Sequence, residues 1–127
     1  MFGNKLLTLM SIIYLGPFKN YSDPELLSLI KEDNQNAFVE LYGRYSRKVR
    51  ALAYSKINSR EVTQEIVQDI FLDLWERRHS INVNALPNYL SVAVKYRVIN
   101  HIKNQIAFRK YSALYTSFIK ISEEGTL

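Results

Sequence analysis

Three observations predict an all-α fold, a compact bundle of about four helices with an additional apolar N-terminal segment. The composition is the first: of 127 residues, 47% are hydrophobic and 23% charged, and only 4 Gly and 3 Pro interrupt them. That is a globular, mainly helical mixture, of a size for one domain with a real core. Secondly, apolar residues recur at three- and four-residue spacing through most of the chain, the period of a helix face. Thirdly, residues 61–77 read EVTQEIVQDIFLDLWER. Glu61, Glu65, Asp69 and Asp73 fall every fourth residue and Glu76 follows, so on a helix the acids form one stripe.

In chain order, residues 6–15 (LLTLMSIIYL) come first, a mostly apolar run behind Lys5. Ten residues are too few to span a bilayer, so no stable membrane insertion is expected. The basic start and apolar centre resemble a secretory signal, but no small-x-small cleavage pattern precedes Gly16-Pro17. An extra packed segment, or translation from Met10, are the preferred readings. Ser22-Asp23-Pro24-Glu25 is a helix start: a capping residue, Pro in the first turn and Glu three after Ser. The short helix should end near Glu32-Asp33-Asn34.

A second helix is expected over about 35–56, with Ala37, Phe38, Leu41, Tyr42, Tyr45, Val49, Leu52 and Ala53 at helical spacing; Gly43 inside it weakens it only slightly. Asn58 with Glu61 is a plausible capping box for the acidic helix. Val62, Ile66, Val67, Ile70, Phe71 and Leu74 form its core stripe. No Lys or Arg enters residues 61–76. Because like charges four apart repel, the ridge suits a basic partner, although an ordinary solvated acidic face is the competing reading.

Residues 80–88 should form a loop. A fourth helix is expected over about 89–106, with Leu90, Ala93 and Val94 inward. Val92, Tyr96 and Ile99 lie on another side, with Lys103 a turn further and Tyr89 nearby. An aromatic–aliphatic strip flanked by Lys95, Arg97 and Lys103 offers single-stranded nucleic acid a stacking face and charges for phosphates. Burial of Tyr96 against another helix is the alternative. Past Phe108 the pattern should hold for two turns and then fade.

Charge is divided sharply. The net charge is +5, yet residues 1–76 carry nine bases and ten acids, while residues 77–122 carry eight bases and no acid. A polyanion partner for the second half, most simply nucleic acid, follows from this split. Chemistry is not expected. With 0 Cys and 2 His, thiolate metal sites and disulfides are excluded, and neither His79 nor His101 has a metal-ligand spacing. There is no nucleophile–base pair and no phosphate-cradling Gly loop, so neither catalysis nor a cofactor is predicted.

The order of the pieces DPELLSLIKEDNQNAFVELYGRYSRKV, EVTQEIVQDIFLDLWERR and LPNYLSVAVKYRVINHIKN resembles region 2 of the extracytoplasmic-function (ECF) sigma factors, within the sigma-70 superfamily of bacterial RNA polymerase. The resemblance covers roughly residues 22–110. Its most specific part is Glu65-Ile66-Val67-Gln68-Asp69-Ile70-Phe71, with Asn36-Ala37-Phe38, Trp75 and Tyr89-Leu90 in family positions. The LWERR run and tyrosine-rich last helix are similar to sigma factors from Bacteroidetes.

The resemblance implies a cytoplasmic transcription-initiation domain that binds the clamp helices of the largest core RNA polymerase subunit. It also implies melting of the promoter −10 element by holding the non-template strand, with an anti-sigma factor as a further partner. Glu65, Gln68 and Asp69 match the polymerase-binding positions, and the ridge adds Glu61 and Asp73. Tyr96 stands where relatives often carry a pocket-lining Asn, so Tyr96, Arg97 and Asn100 are candidates for base and backbone contact, with Tyr89 beside them. Lys95, Lys103, Arg109 and Lys110 would neutralise phosphates, which anchors without reading sequence. On this reading residues 1–21 are an extension, 22–110 the domain, and 111–127 the start of a linker to a helix-turn-helix domain absent from this sequence. The runner-up is a non-melting interaction module that binds polymerase or an anti-sigma factor.

Overall fold

The computed structural model describes residues 18–123; the apolar run 6–15 and the Met10 start lie outside them. The described residues form four helices, α1 (Asp23–Lys31), α2 (Gln35–Ile57), α3 (Arg60–Glu76) and α4 (Leu86–Ile121), and no strand. The predicted all-α bundle is the fold.

Local chemistry sets most boundaries. At α1, Ser22 and Glu25 form the predicted capping box, with Glu25 N–H donating to Ser22 Oγ and Ser22 N–H to Glu25 Oε1 (3.3 and 2.9 Å). That reciprocal bond holds the Glu25 carboxyl below its ordinary range, chiefly through the Ser22 backbone N–H. The helix ends in a Schellman turn: Asp33 N–H donates to Ile30 O (2.9 Å) and Asn34 N–H to Leu29 O (3.0 Å). Asp33 takes the left-handed backbone (φ 66) usually left to Gly. Asn34 then caps α2 through Ala37 N–H (3.0 Å).

Two boundary expectations are corrected. Asn58 does not open the acidic helix; it closes α2 in the left-handed conformation (φ 56). Ser59 is the N-cap, accepting from Val62 N–H at 3.3 Å. The fourth helix is also longer at both ends than its periodicity predicts. It begins at Leu86, which is buried, with Pro87 in its first turn, and continues to Ile121. Pro suits that position because a first-turn N–H has no intrahelical acceptor to lose.

α2 is the hub, packed against α1, α3 and α4, while α3 and α4 also touch. Phe38, Tyr42 and Phe71 lock α2 to α3, with ring centroids 6.5 Å apart for Phe38–Phe71 and 4.9 Å for Tyr42–Phe71. Trp75 lies beside this core, 5.2 Å from Phe38. Leu86, Leu90, Val94 and Val98 are the inward stripe of α4. Beyond Val98 no described residue is buried. The rest of α4 extends clear of the core with Ile106, Phe108, Tyr111, Leu114 and Phe118 exposed.

Side chains clip the base of the bundle. Arg44 pairs with Glu40 (2.8 Å) and Asp23 (3.3 Å) and donates to the carbonyls of Phe18 and Lys19. Tyr45 donates its hydroxyl to Asp23. At the other end, Arg78 reaches Asp33 (2.7 Å) while its guanidinium covers the Trp75 ring at 4.1 Å, a cation–π contact. The Arg78 bond holds the Asp33 carboxyl below its ordinary range.

Candidate functional site

Two surfaces carry the residues singled out by sequence, one on α3 and one on α4. The α3 stripe forms because its apolar positions at three- and four-residue spacing are drawn into the core: Ile66, Val67, Ile70, Phe71 and Leu74 are buried, and Val62 is partly so. The acids are thereby turned out. Glu61, Glu65 and Asp69 are exposed, whereas Gln68 and Asp73 are half-buried.

The ridge is not purely acidic in space. Arg77 Nη1 lies 3.2 Å from Asp73 Oδ2, one turn along the same helix. Arg97 Nη1 of α4 lies 3.7 Å from Asp69 Oδ2. Glu61 and Glu65 have no ion pair or hydrogen bond among the described residues. The open negative charge is therefore concentrated at the N-terminal half of α3, where it also meets the positive end of the helix dipole.

On α4, Tyr89, Tyr96, Lys103 and Lys110 are spaced seven apart, which keeps them close to one line along a helix, drifting by only about 20° per interval. At about 1.5 Å per residue the line is some 30 Å long. Tyr96 is 65% exposed, with Val92 and Ile99 exposed beside it. The alternative of a Tyr96 packed against another helix is thus excluded. Lys95, Lys103, Arg109 and Lys110 are exposed and Asn100 is half-buried; none of the four cations is paired with an acid among the described residues.

Tyr89 and Arg97 differ from their neighbours. Tyr89 is half-buried against the core, and burial raises its phenol above the ordinary value, with Asp73 adding to this and Arg77 and Arg97 opposing it. Arg97 turns toward α3. These two therefore stand at the seam where the acidic ridge meets the basic helix. The sequence also missed Thr63, which is 2% exposed, with a hydroxyl lacking a hydrogen-bond partner among the described residues.

Among the described residues no helix is long and apolar enough to cross a membrane, and no group of His, Cys, Asp or Glu could hold a metal ion. The family model for Sigma-70 region 2 matches residues 41–106, just over half of the chain. The match takes in most of α2, all of α3 and α4 as far as Ile106, hence every candidate residue except Arg109 and Lys110. No curated protein and no solved structure matches.

Proposed function

The chain belongs to the sigma-70 region 2 family, and from that membership we propose that it docks α3 on core RNA polymerase and melts the promoter by holding the −10 non-template strand along α4. Region 2 domains bind core RNA polymerase and recognise the −10 promoter element, and they do so without catalysis. The EIVQDIF motif supports assignment to the ECF group. Work on the polymerase would be done in the cytoplasm, with an anti-sigma factor competing for the same surfaces.

One observation carries the strand-holding reading: Tyr96 stands exposed on a line with Lys103 and Lys110, on a helix half that has no acid. Bases stack on the ring, and each cation neutralises a phosphate. Melting needs no chemical step. A strand bound better than duplex shifts the opening equilibrium by that difference alone. Glu61, Glu65, Gln68, Asp69 and Asp73 are the proposed polymerase contacts, since a carboxylate stripe suits an Arg-rich helix pair.

The test is binding of the purified chain to a fluorescent single strand bearing a −10-like element, and to its complement, over a salt series. A preference for one strand that persists as salt weakens both supports base capture. Equal, steeply salt-dependent binding to the two strands refutes it and leaves only a basic surface. The second reading, an interaction module that does not melt DNA, is favoured by the unpaired Glu61 and Glu65. It predicts polymerase binding that survives Tyr96→Ala and Lys95/Lys103→Ala, with no strand binding to lose.

A further inference from the structure

Arg47, Arg50 and Tyr54 of α2 and Arg60, Thr63 and Gln64 of α3 line a groove with a volume of ≈ 520 Å³. Ligand sites commonly enclose about 300–1,000 Å³. The groove contains no residue of α4, so it is separate from the strand-holding line.

Its charge is uncompensated. Arg44, Arg77, Arg78 and Arg97 each lie against a carboxylate. Arg47, Arg50 and Arg60 have no such partner among the described residues, and all three are exposed. Glu40, the acid nearest in sequence to Arg47 and Arg50, and Glu61, which follows Arg60, are not among the lining residues. Three arginines line one groove, and planar guanidinium forks match phosphate oxygens two at a time.

Thr63 also lines the groove, but its Oγ1 is buried beneath the surface and has no hydrogen-bond partner among the described residues, so the hydroxyl is not offered to a ligand. Tyr54, 42% exposed, adds an accessible ring to the same wall, on which a base can stack.

We propose that this groove binds a nucleotide through its phosphates, with Arg47, Arg50 and Arg60 on the anion and Tyr54 against the base. The same chemistry is offered by a free nucleoside polyphosphate and by a nucleotide within a strand.

Calorimetric titration of the full chain with ATP and with inorganic tripolyphosphate, at moderate salt, separates the possibilities. Saturable one-to-one binding is expected. Arg50→Gln with Arg60→Gln should weaken it by at least about tenfold, as loss of charged hydrogen bonds does. Lys95→Ala with Lys103→Ala should leave it unchanged. Arg50 and Arg60 are exposed, so their variants should keep the wild-type helical circular dichroism. If a single-stranded oligonucleotide displaces ATP and the groove variants weaken the oligonucleotide equally, the natural ligand is a strand nucleotide; if ATP stays bound, it is the free one. Absence of saturable binding overturns the proposal. So does binding that follows Lys95 and Lys103 instead of the arginines, or groove variants that lose polymerase while keeping ATP.

Discussion

Arg97 of α4 and Asp69 of α3 stand 3.7 Å apart, so a base on the proposed strand-binding helix is tied to an acid on the proposed polymerase-binding ridge. The pair is partly solvated, with side chains 32% and 58% exposed. Such surface pairs contribute about 0–1 kcal/mol. Its interest lies in coupling: if Asp69 engages the polymerase as proposed, Arg97 would be freed toward the strand.

Asp69→Asn should therefore leave the melting temperature nearly unchanged, the loss being within about 0.5 kcal/mol. It should weaken polymerase capture and slightly strengthen single-strand binding, because a negative charge beside the strand is removed. Pull-down and fluorescence anisotropy on the same variant check both signs. Weaker binding to both partners would sink the coupling.

Tyr96→Ala should cost single-strand binding about 1–3 kcal/mol, the range for one base on one aromatic ring. Stability should be untouched, since the ring is 65% exposed. Denaturant melts of the same preparation separate the two effects.

Phe71→Ala should destabilise the bundle by about 3–5 kcal/mol. Its ring is 1% exposed and meets both Phe38 and Tyr42, so the cavity would open at the joint of α2 and α3. Urea unfolding with an unchanged m-value is the expected readout.

Thr63→Val should raise stability by about 1 kcal/mol, because it removes a buried hydroxyl with no hydrogen-bond partner among the described residues. Thermal melts measure this directly.

Alkaline stability should depend on Tyr45. Burial, aided by its hydrogen bond to Asp23, pushes its phenol up to about 12 from an ordinary 10. A folded value above the unfolded one means that the contribution is complete below pH 10 and is lost as pH rises through 12. Tyr45→Phe should flatten that part of the stability–pH curve. Asp33 acts at the opposite end: its carboxyl is held low by Arg78, so its contribution fades as pH falls below the ordinary carboxylate range. Arg78→Ala should reduce that acid-side slope, His79, 3.1 Å from Asp33, keeping a smaller part of it.

The sequence by itself determined the helix count, the core stripes and the Ser22 cap, because these depend on residues three or four apart that meet along one helix. It also separated the acidic α3 from the basic second half, since charge is read directly from residue type. Boundaries were less legible. Asn58 and Ser59 are both good caps, and their division between closing α2 and opening α3 follows from the left-handed turn that joins them. The extension of α4 to Ile121 has no core contact to give it a periodic signature. What only the tertiary structure decided is which side chains from different helices meet. Arg97 with Asp69, Tyr45 with Asp23, Arg78 with Asp33, and the arginines of α2 and α3 along one groove are brought together by helix packing. No local spacing encodes those distances, because they depend on how whole apolar faces seat against one another.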